Sequence, residues 1–104
     1  MISDDLKRSI VDSLVQSVHP KKIFLFGSYA YGQPNDESDL DILVIKDGFE
    51  KKIDIKRAMR KALSNIDKPK DLLVASSDEF EFYAHETGSV YQTIFQKGEL
   101  LWSA

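Results

Sequence analysis

An α/β (α+β) domain on a small mixed β-sheet of about three to four strands is predicted by three observations. Short apolar runs, "KIFLF", "LDILVI" and "DLLVA", have the length and the flanking turn residues of buried strands. Stretches with apolar residues at a helical period lie before, between and after them. A polar loop joins the first two runs and a helical stretch joins the second to the third, so one neighbouring pair is antiparallel and the other parallel.

Taken in order, Leu6, Ile10, Val11, Leu14, Val15 and Val18 form one stripe and predict a helix over roughly 3 to 18. Ser3 is its expected N-cap, and Asp4 and Asp5 suit the positive end of the helix. His19-Pro20 ends it, because the residue before proline is pushed out of helical geometry. "KIFLF" reads as a buried strand stopped by Gly27, and "LDILVI", roughly 39 to 45, as the second strand. Ile55, Met59, Ala62, Leu63 and Ile66 predict a helix of roughly 50 to 65, and "DLLVA" from Asp71 supplies the third strand. Ser77 is the expected cap of a helix through "DEFEFYAHE". "SVYQTIFQ" is a last helix ending before Gly98, and "ELLW" a short edge strand. No repeat, low-complexity tract or long linker divides the sequence, so one domain over residues 1–104 is expected.

Composition excludes several classes of function. With 104 residues and 42% hydrophobic content, the chain suits a modest core. A net charge of −3 runs against a generic duplex-DNA binder, which needs a concentrated positive surface, so nucleic acid is not expected as the main partner. The absence of cysteine removes disulfides and thiolate metal sites. No apolar stretch approaches the roughly 20 residues that span a bilayer, and "MISDDLKRSIVDS" lacks the apolar centre of a signal peptide. A cytoplasmic protein with no membrane partner is the expectation.

The chemistry concentrates in "FLFGSYAYGQPNDESDLDILVI", residues 24–45. Asp39 and Asp41 alternate with Leu40, Ile42 and Val44, so an extended strand aims both carboxylates at one face. For Gly27 and Ser28, at the end of the first strand, to meet them at the start of the second, the two strands must run antiparallel. A parallel crossover then brings the start of the third strand, with Asp71, to the same sheet edge. Hard divalent cations such as magnesium take oxygen ligands and are held by a few carboxylates together with substrate phosphates. Two such ions can activate an attacking oxygen and neutralise a departing pyrophosphate. Gly27 lets the backbone approach a phosphate, and the Ser28 hydroxyl and nearby amides can donate to its oxygens. The set fits phosphoryl or nucleotidyl transfer.

Gly27-Ser28, ten intervening residues and Asp39-x-Asp41 resemble the signature of the DNA polymerase β-like nucleotidyltransferase superfamily, and more narrowly of the small MNT (minimal nucleotidyltransferase) domains. The resemblance covers nearly the whole chain and implies a polymerase β palm-like nucleotidyltransferase fold. It implies that Asp39, Asp41 and Asp71 are catalytic and hold two magnesium ions, with Gly27 and Ser28 on the phosphates of ATP or another nucleoside triphosphate. It also implies a partner, since MNT proteins are often paired with HEPN proteins as antitoxin and toxin, and some of these antitoxins AMPylate the toxin. The expected activity is magnesium-dependent, protein adenylyltransferase-like transfer of AMP or another NMP to an acceptor hydroxyl on such a partner. The alternative is an antitoxin that binds nucleotide without efficient transfer, or that masks its HEPN partner by contact. A homo-oligomer is compatible with either. Many relatives carry arginines after the Gly-Ser pair, where this sequence has Tyr29 and Tyr31. Tyrosine brings stacking or a single hydroxyl contact there instead of positive charge.

Other conspicuous residues have plainer accounts. Asp36 and Glu37 read as loop solvation. Lys51, Lys52, Lys56, Arg57, Arg60 and Lys61 make the solvated face of a helix, opposite its apolar stripe. His19 and His85 suit surface or helix-end positions. Phe80, Phe82, Tyr83, Tyr91 and Phe95 are expected in the core and covering the sheet.

Overall fold

Helix α1 (Asp4–Val18) begins where the capping chemistry places it: Leu6 N donates to Ser3 Oγ at 3.1 Å. It ends at His19, whose φ of 48° turns the chain out of the helix ahead of Pro20. The computed structural model describes residues 2–35 and 38–104; Asp36 and Glu37 lie outside the described residues.

Strand β1 (Lys22–Phe26) leads into a four-residue helix α2 (Ser28–Tyr31) and then strand β2 (Leu40–Ile45). Helix α3 (Lys52–Ala62), strand β3 (Lys70–Ala75), helices α4 (Ser77–Ala84) and α5 (Val90–Lys97), and strand β4 (Glu99–Ser103) complete the chain. The sheet order is β3-β2-β1-β4, with β1 antiparallel to both its neighbours and β2 parallel to β3. The mixed sheet, the antiparallel first pair and the parallel crossover pair all follow the predicted pattern.

Each face of the sheet has its own apolar cluster, because side chains alternate along a strand. Ile23, Leu25, Ile42, Val44, Leu72 and Val74 meet α1 and α3 through Ile10, Leu14, Val18, Met59 and Leu63. Phe24, Phe26, Leu43, Ile45 and Ala75 meet α4 and α5 through Phe80, Ala84 and Ile94. Asp41 shares the second face with Leu43 and Ile45, and Asp71 shares it with Leu73 and Ala75. The helical cover of that face stops short of these two acids, leaving them at its rim.

Several boundaries differ from the expectation. Asp39 precedes β2, and β3 begins at Lys70, one residue before Asp71. Helix α3 is shorter than its stripe: Leu63 still donates to Met59 O at 3.0 Å, but Ile66 donates to Leu63 O in a tighter turn, so the apolar period outlasts the helix. Ser76, not Ser77, caps α4, accepting from Glu79 N at 3.0 Å. Ser77 is occupied instead by Asp47, donating to it from both N and Oγ at 2.8 Å. Among the aromatics, Phe80 is buried and stacks on Phe24, whereas Phe82, Tyr83 and Phe95 are exposed on α4 and α5. They form an outer aromatic surface and not core. His19 and His85 terminate α1 and α4, as expected.

Candidate active site

Gly27 ends β1 with a φ of 71° and a ψ of −153°, a combination that only glycine adopts comfortably. A second constraint acts on the same atom: a Cβ placed there would stand 1.9 Å from Asp41 Oδ2. The missing side chain is therefore the space that the Asp41 carboxylate occupies. Antiparallel register explains the meeting, since Phe26 pairs with Asp41. Beyond Gly27 the chain closes at once into α2, with Ala30 N and Tyr31 N donating to Gly27 O at 3.0 and 3.1 Å. Ser28 is the first residue of that helix and is half-buried.

Asp71 stands beside Asp41 as its register partner on the parallel strand. Neighbouring strands lie about 4.8 Å apart, so the two carboxylates project from adjacent positions on one face. The link continues outside the strands, where Leu40 N donates to Pro69 O at 2.8 Å. Asp39 and Asp71 are exposed, and Asp41 is half-buried between them. The consequence is electrostatic: partial burial, then the charge of Asp71, then that of Asp39, push the Asp41 carboxyl up to about 6. Three acids thus share one rim, and the other two disfavour ionisation of Asp41.

Hard carboxylate oxygens in this number suit a magnesium ion, and the raised Asp41 pKa marks an excess of negative charge that a cation would relieve. Among the described residues, no group of three or more His, Cys, Asp or Glu side chains is arranged to hold a metal ion by itself. Magnesium commonly takes only one or two carboxylates and completes its shell with water and substrate phosphate. The donor set fits that mode and not a closed protein cage.

Two lysines at this edge escaped the sequence reading. Lys70 Nζ donates to Ile66 O at 2.7 Å and to Lys68 O at 3.1 Å, bracing the turn that enters β3. Lys68 Nζ lies 5.2 Å from the centre of the Tyr29 ring and donates to Tyr29 Oη at 3.3 Å. Tyr29 Oη in turn donates to Asn35 O at 3.3 Å. The available signal was the Lys-Pro-Lys run directly before the strand that carries Asp71.

Concavity does not locate this site. A groove of about 340 Å³ lies at the opposite end of the sheet, lined by Lys22, Ile45, Ser77, Phe80, His85 and Phe95 among others. It is apolar on one wall and holds none of the clustered acids. The carboxylate rim is open, with Asp39 and Asp71 exposed. Among the described residues no helix is long and apolar enough to cross a membrane.

Comparison with known proteins bears on the fold and the family. A protein of Methanocaldococcus jannaschii, named as a candidate protein adenylyltransferase, is 56% identical over 36 residues, covering 34% of this chain and 36% of the relative's length. The fold is similar to a crystal structure of a toxin–antitoxin with AMP-PNP, at a TM-score of 0.71 and 25% identity over 94% of this chain and 73% of that one. It is also similar in fold to a tri-AMPylated Shewanella oneidensis HEPN toxin in complex with an MNT antitoxin, at a TM-score of 0.61 and 22% identity over 98% of this chain and 74% of that one. The match to the family described as Polymerase beta, Nucleotidyltransferase runs over residues 8–104, and the chain belongs to that family.

Proposed function

We propose that the protein is a magnesium-dependent nucleotidyltransferase of the cytoplasm that moves AMP from ATP to a hydroxyl on a HEPN-type partner. The observation that carries the proposal is the Asp41 carboxylate, seated in the space left by Gly27 and flanked in register by Asp71. The toxin–antitoxin structures of similar fold, one solved with AMP-PNP and one with an AMPylated HEPN toxin, support the choice of donor and partner.

In this reading Gly27 and Ser28 receive the donor phosphates, the backbone approaching where no side chain intervenes and the Ser28 hydroxyl donating to a phosphate oxygen. Asp39, Asp41 and Asp71 would hold up to two magnesium ions, which when bound offset the charge developing on the α-phosphoryl group and the pyrophosphate. Asp71, exposed on the outermost strand of the three that form the rim, takes the proton from the attacking hydroxyl. The acceptor oxygen bonds to the α-phosphorus as the bond to the bridging oxygen breaks, and pyrophosphate leaves.

The test has two stages. Mg-ATP raises the melting temperature of the wild type and does so much less for Asp39→Asn or Asp41→Asn. Intact-mass analysis of a co-produced HEPN partner shows additions of one AMP less one water, and Asp39→Asn and Asp71→Asn lower their rate by at least about a hundredfold while a pull-down still recovers the complex. An unmodified partner in a demonstrated complex with wild-type protein and Mg-ATP would leave masking by contact as the function.

A further inference from the structure

We infer that Lys68, held on the ring and hydroxyl of Tyr29, is the residue that contacts the polyphosphate of the nucleotide with positive charge. The inference rests on the proposed nucleotide site and assigns to it a residue outside the carboxylates and the Gly-Ser turn.

A nucleoside triphosphate brings several negative charges to a rim that already carries three carboxylates. Metal ions offset part of that sum, and the protein must meet the rest with fixed cations or pay in affinity. The residues that follow the Gly-Ser turn supply none, because Tyr29 and Tyr31 are neutral. A cation reaches that segment from a distant part of the chain: Lys68 Nζ, 3.3 Å from Tyr29 Oη and 39 residues away in sequence.

Three features show that this ammonium is placed for a ligand. Lys68 is half-buried, yet it takes part in none of the ion pairs among the described residues; its partner there is a neutral phenol. By contrast Lys7, Lys21 and Lys52 each pair with a carboxylate, at 2.9, 3.2 and 2.7 Å. Second, its backbone is fixed relative to the acids: Lys68 N donates to Ile66 O at 3.0 Å, and the adjacent Pro69 O accepts from Leu40 N at 2.8 Å, between Asp39 and Asp41. Third, Tyr29 directly follows Ser28, so the ring on which the ammonium rests is one residue from the proposed phosphate contact. Lys70 cannot serve as well, because its ammonium is engaged by two backbone carbonyls.

Tyr29 then has a positioning role. Its ring face attracts the ammonium and its hydroxyl fixes the direction of approach, which lowers the entropy a long lysine side chain loses when it meets a phosphate. The pair places a charge beside the Gly-Ser turn although neither residue alone would do so.

Calorimetric titration separates the possibilities. Wild type, Lys68→Met, Lys68→Arg and Tyr29→Phe are titrated with Mg-ATP and with AMP, after circular dichroism confirms that each variant is folded. Lys68→Met is expected to weaken Mg-ATP binding about tenfold, as loss of one charge-assisted contact implies, while changing AMP binding less than about twofold. Lys68→Arg restores most of the affinity, and the dependence of Mg-ATP binding on salt is shallower in Lys68→Met than in wild type. Wild type that binds Mg-ATP together with Lys68→Met that binds it equally well overturns this inference and leaves the proposed function standing. Equal losses for ATP and AMP assign Lys68 to the fold and also overturn it. Wild type that binds no Mg-ATP removes the nucleotide site itself, and both proposals with it.

Discussion

Two aspartates stand near opposite ends of strand β2, and they are held in opposite ways. Asp47, just beyond its end, accepts from Ser77 N and Ser77 Oγ at 2.8 Å and lies 3.2 Å from Lys21 Nζ. The Ser77 backbone, then the Ser77 hydroxyl, then Lys21 hold its pKa down to about 2. Asp41, near the start of the strand, has burial and two like charges around it and is pushed up to about 6. One carboxylate is surrounded by donors and fastens α4 to the end of β2. The other is surrounded by acceptors, a state that costs stability and is expected where a ligand is to supply the missing positive charge. Charge satisfaction, more than location on the strand, tells the structural acid from the one proposed to be functional.

The largest effect on this contrast should come from Gly27→Ala. A methyl group forces the chain into a backbone region that costs non-glycine residues about 1–3 kcal/mol, and it also evicts the Asp41 carboxylate. Urea unfolding should report a loss in that range, and the stabilisation by Mg-ATP should disappear. Adding Asp41→Ala to Gly27→Ala removes the collision with the carboxylate, leaving a tight 3.2 Å contact between the two Cβ atoms and the backbone cost, so the double variant should be more stable than the sum of the single changes implies.

A middle-sized effect of opposite sign is expected from Asp41→Asn without magnesium. A carboxyl whose folded-state pKa is raised from 3.8 to about 6 favours the fold when protonated and opposes it when ionised. The contribution of Asp41 to stability therefore falls as pH rises from near 4 to above 6. Asparagine lacks that dependence, so the variant should be the more stable protein at pH 8, by about 1 kcal/mol once solvent screening of a half-exposed group is allowed for. The difference should fade by pH 4, as measured by urea unfolding across the range. A large loss on this substitution at pH 8 would place Asp41 with Asp47 as a structural acid.

Asp47→Asn should give the smallest change, since asparagine keeps one oxygen to accept from Ser77 N. Its sign is opposite to that of Asp41→Asn. A depressed pKa contributes stability that is fully present above the unfolded value of 3.8 and is lost as pH falls toward 2. The variant should thus melt slightly lower than wild type at neutral pH and converge with it in strong acid. Added salt should narrow the gap, because Lys21 contributes through an exposed pair.

The contrast also shows what was legible in the sequence. The antiparallel first pair followed from requiring Gly27 and Ser28 to meet the aspartate pair, and the parallel second pair from the helix between its strands; together they brought Asp71 to the same rim. That inference needs only topology and register, which apolar period and turn residues specify well. Contacts that depend on side chains far apart in the chain were not legible. Ser76, with Glu79 three residues on, matches the capping-box pattern that Ser77 lacks, so that boundary was legible and missed; the tie of Ser77 to Asp47, 30 residues away, was not. Lys68 and Tyr29 carry no mutual signal across 39 residues. The exposed Phe82, Tyr83 and Phe95 were misplaced because hydrophobicity marks what can be buried, not whether a neighbour covers it.

The abutment of Gly27 on Asp41 makes two positions in separate strands answer to each other over evolutionary time. While the carboxylate is retained, position 27 cannot acquire a side chain, since even a methyl would occupy the same volume. A lineage that abandons transfer and keeps only the scaffold releases position 41 first, and a smaller residue there opens the space that a side chain at 27 requires. Substitutions at the two sites should then appear in a fixed order among descendants, with loss of the acid preceding loss of the glycine, so that, under the role proposed for Asp41, a relative bearing the glycine without the acid is a recent departure from catalysis.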